Sequence, residues 1–113
     1  MKYDVREPCA SCPYRTDARP EFWHPAEFVR LLDTERSQLG VVYGCHEYRK
    51  RPNEARVCIG WLLNQRDRGC PSIMLRLALR DPAAAACLNE AHSPVPLYDS
   101  VEEMCSVNGV DSE

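Results

Sequence analysis

The sequence predicts a mainly α-helical fold with at most a small β-hairpin, in one small domain stabilised by a metal. Three observations lead there. Apolar residues recur at helical spacing and follow helix-start signals such as His24-Pro25, Asp81-Pro82 and Ser100-Val101-Glu102-Glu103. The chain has 113 residues, enough for one modest core, and cores of that size are often reinforced by a metal or by disulfides. Seven of its residues are cysteine.

The elements follow in order. Residues 1–21 contain Pro8, Pro13 and Pro20 without periodicity and read as an extended, looped segment. Pro25 suits the first position of a helix whose apolar stripe is Phe28, Val29, Leu31 and Leu32, ending between Ser37 and Gly40. Val41-Val42-Tyr43 is a short β-prone run ending at Gly44-Cys45-His46, and Glu47 to Glu54 is a charged loop. A second helix begins between Ala55 and Cys58, carries Ile59, Trp61, Leu62 and Leu63, and breaks at Gly69-Cys70-Pro71. Ser72 caps a third, Ile73 to Arg80, apolar around much of its circumference and therefore expected at the centre of the core. A fourth covers Ala83 to Ala91. The capping box at Ser100 opens a short last helix. The domain is expected over residues 1–105, with 106–113 as a frayed acidic tail.

Seven cysteines with no apolar stretch at the start that would serve as a secretory signal argue against a disulfide framework and for a reducing, cytoplasmic setting. No apolar run reaches membrane-spanning length. Clustered thiols in such a setting hold metal or do thiol chemistry. Cys9-Ala10-Ser11-Cys12 is a CxxC, which lets two thiolates approach one centre from a single turn. Thirty-two residues separate Cys12 from Cys45, and twelve separate Cys45 from Cys58. Cys58 falls near a helix start, where backbone N–H groups favour the thiolate. Cys9, Cys12, Cys45 and Cys58 are thus the expected ligands, with His46 and Cys70 as alternates.

Proline after the second cysteine and lone cysteines from separate loops fit a [4Fe-4S] cluster. Zn²⁺ is the alternative, and His46 would suit it. A thiol-redox role for Cys9 and Cys12 would need a helix straight after the motif, and the next strong helix signal waits until Pro25. Cys87 and Cys105 fall in or beside helices, where a thiol packs as a small hydrophobe. His24 is expected as a cap or surface residue and His92 as a loop residue. Trp23 and Trp61 are expected to pack around the metal loops.

The net charge of −3 hides an asymmetry: residues 49–80 carry eight basic and two acidic side chains, residues 81–113 seven acids and no Lys or Arg. Arg49, Lys50, Arg51 and Arg56 form a segment suited to an anionic protein partner or nucleic acid, or to the chain's own acidic tail.

Pro8-Cys9-x-x-Cys12-Pro13-Tyr14-Arg15, then Phe22-Trp23, Cys45-His46, Cys58-x-Gly60-Trp61 and Leu75 to Arg80 resemble an uncharacterised family of small cysteine-rich proteins of high-GC bacteria and their phages. That resemblance supports the four-cysteine set and implies a phage-related setting, without an activity. Tyr43-Gly44-Cys45 through Arg51-Pro52-Asn53 to Cys58 and Leu62-Leu63 is locally similar to the cluster loop of iron–sulfur uracil-DNA glycosylases, which modestly favours a cluster. The expected function is a regulatory or interaction module built on a four-cysteine centre. The alternatives are a nucleic-acid-binding regulator using the basic segment and a thiol-redox protein.

Overall fold

The computed structural model describes residues 1–19, 22–37, 42–45, 55–67 and 71–111. Among these the chain forms helices α1 (Pro25–Arg36), α2 (Ile59–Asp67), α3 (Ile73–Ala78), α4 (Pro82–Glu90) and α5 (Val101–Val107). No sheet forms among them. Three isolated bridges join Lys2 to Arg56, Arg15 to Leu97 and Gly44 to Val57. The fold is mainly α, as the sequence predicts. No helix among the described residues is long and apolar enough to cross a membrane.

Local chemistry sets the helix starts. His24 caps α1 through Nδ1, which accepts from the Ala26 N–H at 3.1 Å, and Pro25 follows at the first position. Ser72 Oγ accepts from the Leu75 N–H at 3.2 Å, Asp81 Oδ1 from Ala83 at 2.9 Å, and Ser100 Oγ from Glu103 at 3.1 Å. α1 buries Phe28, Leu31 and Leu32 against the core and packs on α5. Val29, expected in the buried stripe, is 51% exposed: it lies about 100° around the helix from Phe28 and turns outward.

The centre of the core is α2, not α3. Every residue of α2 from Ile59 to Gln65 is buried. Its polar members are each held by one bond: Gln65 Oε1 accepts from the Ser72 N–H at 2.9 Å and Asn64 Nδ2 donates to the Asp99 carbonyl at 3.3 Å, while Gln65 Nε2 and Asn64 Oδ1 have no partner among the described residues. The expectation that the third helix is central is corrected here. α3 has six residues and buries Leu75, while Ile73 and Leu77 are exposed. An apolar circumference does not choose a partner face, and α2 already fills the interior.

α5 runs two residues past the tail boundary expected at 105/106. Gly109 takes φ +69°, the left-handed region, and the Val110 N–H returns to the Cys105 carbonyl at 2.8 Å. Val110 then packs against the core, the hydrophobic contact that accompanies such a helix end.

The N-terminal segment is held from both sides. The Lys2 N–H donates to Ala55 O at 2.7 Å, and the His92 N–H to Arg6 O at 2.9 Å. Tyr98 N–H donates to Tyr14 O at 2.9 Å, and Thr16 N–H to Pro96 O at 3.1 Å. Between these ties Cys12 and Tyr14 lie against Gly60 in the first turn of α2.

Candidate metal centre

Each cysteine of the expected set is placed by its own piece of backbone. Cys9 to Cys12 is a tight turn closed by the Cys12 N–H on Cys9 O at 3.0 Å, and a second turn follows with Arg15 N–H on Cys12 O at 3.1 Å. The Trp23 indole N–H donates to Ser11 O at 2.8 Å and ties the turn to the start of α1. Because the CxxC turn leads into another turn, its thiols lack the helix N-terminus that activates a thioredoxin-type dithiol.

Cys45 and Cys58 are brought to the same side of a short antiparallel pairing, diagonally across it, Cys45 facing Arg56 and Cys58 facing Tyr43. Cys58 N–H donates to Tyr43 O at 2.9 Å and Cys45 N–H to Arg56 O at 2.7 Å, on either side of the Gly44–Val57 bridge. Cys58 is also the cap of α2: its carbonyl accepts the first helical bond, from the Leu62 N–H at 3.0 Å. Its sulfur accepts from the Trp61 N–H.

The four cysteines line one cavity of about 250 Å³, together with Glu7 and Arg56. Behind them lies a void of about 10 Å³, lined by the same four cysteines with Pro13, Trp23, Glu27 and Tyr43. Cys12, Cys45 and Cys58 are buried and Cys9 half-buried, and all are free thiols. Cys87 and Cys105 are free and buried in α4 and α5, and neither lines these cavities. The Cys87 thiol donates to Val5 O at 3.3 Å, and burial pushes both thiols above the usual range. Packing accounts for them.

The thiols are electrostatically linked. A hydrogen bond with Cys12, burial, and the charges of Cys12 and Cys45 push the Cys58 thiol well above its ordinary value, against the opposing Trp61 N–H. Two thiolates in so dry a place repel, so without a cation Cys58 holds on to its proton. As placed, no three His, Cys, Asp or Glu side chains among the described residues form a metal-holding group. Cys12 and Cys58 bond to each other, and the Cys9 sulfur lies 3.8 Å from the Ser11 hydroxyl. The residue types fit a soft metal or a cluster.

Four residues absent from the expected site shape it. Gly60 lets Cys12 lie against α2: a Cβ there would stand 2.6 Å from Cys12 Sγ and 2.8 Å from Tyr14 Cβ. Tyr14 is fully buried behind the turn. Glu27 and Tyr43 line the inner void, and the Tyr43 hydroxyl donates to Glu27 Oε2 at 2.5 Å.

Trp23 lines the void beside the cysteine loops, as expected, whereas Trp61 lines neither cavity and is buried in the core, with Nε1 donating to Thr34 Oγ1 at 3.1 Å. The alternates His46 and Cys70, and Arg49, Lys50 and Arg51 of the basic segment, lie outside the described residues. Arg56 is held by Asp4 through two bonds of 2.9 and 3.1 Å and so faces the chain's own N-terminal segment. The acidic Glu90 and Glu102 pair with Arg6 and Arg36.

No curated protein and no solved structure matches the chain, and the local likeness to the glycosylase cluster loop gains no support from these comparisons. One family model does match, over residues 4–113, nearly the whole length. The chain belongs to the family of unknown function DUF6283.

Proposed function

We propose that the chain is a metal–thiolate protein in which Cys9, Cys12, Cys45 and Cys58 hold a [4Fe-4S] cluster, within a module whose role is regulatory or interaction-based. One observation carries the reading: cysteines from three separate segments of the chain line a single cavity. Chance burial of thiols gives scattered positions such as those of Cys87 and Cys105. The cavity, about 250 Å³, is many times the ~10–15 Å³ that one water-sized sphere needs on the same measure, more room than a lone ion fills. When bound, a cluster supplies one-electron redox chemistry and cross-links the N-terminal turn to the core.

Zn²⁺ is the second reading, and the inner void supports it. At about 10 Å³ it is near the size of one water-sized sphere, the scale of a single ion.

Anaerobic purification followed by elemental analysis and an absorption spectrum tests both. Brown protein with iron and sulfide, bleached by air, supports the cluster. Colourless protein with zinc supports the second reading. Protein carrying neither, and taking up neither on reconstitution, rejects the centre.

A further inference from the structure

The first turn of α1 reaches both halves of the cysteine set. Trp23, just before the helix, bonds Ser11 O inside the CxxC turn at 2.8 Å. Glu27, one turn on, accepts from the Tyr43 hydroxyl at 2.5 Å. Tyr43 stands two residues before Cys45, and its carbonyl takes the Cys58 N–H at 2.9 Å. Both residues line the void that all four cysteines line. The Glu27 side chain is 15% exposed, with Oε1 at 3.5 Å from Arg30 Nη1. A carboxylate this sheltered costs desolvation energy that an apolar residue of similar size would not. Holding α1 to the Tyr43–Cys45 segment by packing alone would not need it.

We propose that Glu27 is a positioning residue of the thiolate centre, acting through Tyr43 to hold Cys45 and Cys58 at the separation a bound metal requires. This rests on the metal–thiolate reading above and concerns what keeps that centre assembled. The chemistry has a general form. Ligands are oriented by hydrogen-bonded outer partners, and loss of such a partner typically weakens metal binding by about 10–100-fold. Here the orientation is carried by the backbone of the Tyr43–Cys45 segment. Tyr43 fixes that segment by its side chain and Cys58 by its carbonyl, so a shift of Tyr43 moves both proposed ligands together.

The test compares the full-length wild type with Glu27→Ala, Glu27→Gln and Tyr43→Phe. Each is reconstituted anaerobically with ferrous iron and sulfide and, separately, loaded with Zn²⁺ alone. Metal loss to a chelator is timed, and the melting temperature of each metal-free chain is measured. Tyr43→Phe and Glu27→Ala should lose metal about 10–100-fold faster than wild type. Glu27→Gln keeps an acceptor for the Tyr43 hydroxyl and should stay close to wild type. A packing role would instead lower the metal-free melting temperature without this difference in loss rate. Should Glu27→Ala fail to fold, the near-isosteric Tyr43→Phe decides. Wild type that binds metal beside a Tyr43→Phe variant with unchanged loss overturns the positioning role and leaves the centre standing. Wild type that binds neither metal overturns both.

Discussion

The Cys12 sulfur occupies the space where a side chain at position 60 would begin, 2.6 Å from the position of a Cβ on Gly60. Cys12 in the N-terminal turn and Gly60 in the first turn of α2 are therefore one joint, and Cys58 caps the same helix two residues earlier. The Cys58-x-Gly60-Trp61 run combines a proposed ligand, a clearance and a core residue in four positions.

Gly60→Ala should therefore destabilise the chain. Alanine is the better helix former by about 1 kcal/mol, but the overlap falls on Cys12 Sγ and on Tyr14 Cβ, which no rotamer change removes. Overpacking of this kind costs about 1–3 kcal/mol. The urea midpoint should fall and metal uptake weaken together. A variant as stable as wild type would show that the turn can withdraw from α2.

The cysteines should sort into two groups. Serine at position 9, 12, 45 or 58 removes a proposed ligand, and each variant should lose metal in elemental analysis. Cys87→Ser and Cys105→Ser should keep it while costing about 1–3 kcal/mol of stability for a polar group placed in an apolar site. Full metal in Cys58→Ser with loss in Cys87→Ser would reverse the assignment.

Tyr14→Phe should stabilise the metal-free protein. The Tyr14 hydroxyl is buried and has no hydrogen-bond partner among the described residues. A buried polar group left unmatched costs about 1–3 kcal/mol, and phenylalanine keeps the ring. Denaturant titration of the two chains measures the difference; a less stable variant would mean that the hydroxyl has a partner in solution.

Stability should also depend on alkali in a way that metal reverses. Burial raises Tyr14 well above 10.0, and the Cys12 bond and burial raise Cys58 well above 9.0. A group whose folded value exceeds its unfolded one stabilises fully below the unfolded value and progressively less as pH climbs toward the folded one. The metal-free melting temperature should fall once pH passes about 9. Metal binding displaces thiol protons, so metal affinity should rise over the same range. Parallel melting curves with and without metal would contradict the linked thiols.

Helix starts were legible in the sequence because capping is local: His24, Ser72, Asp81 and Ser100 each act within three residues. The four cysteines were legible because the CxxC and the helix-start position of Cys58 restrict where thiols can point. The rank of the helices was not. α3 is the more uniformly apolar, yet α2 is interior, because Asn64 and Gln65 find partners in Asp99 and Ser72 that only the folded chain supplies. Glu27 and Tyr43 were missed for the same reason. Their bond crosses sixteen positions, and neither residue carries a motif of its own.

The backbone bonds from Arg6 to His92 and from Tyr14 to Tyr98 bear on the order of events during synthesis. The CxxC turn leaves the ribosome well before residues 92–98, which clamp it. Until those residues emerge its two thiols wait without their clamp, open to whatever metal or oxidant they meet. Domains generally fold as units, and in this one the clamp closes only after residue 98 has been added. Loading of the proposed centre then follows the arrival of that segment and does not precede it.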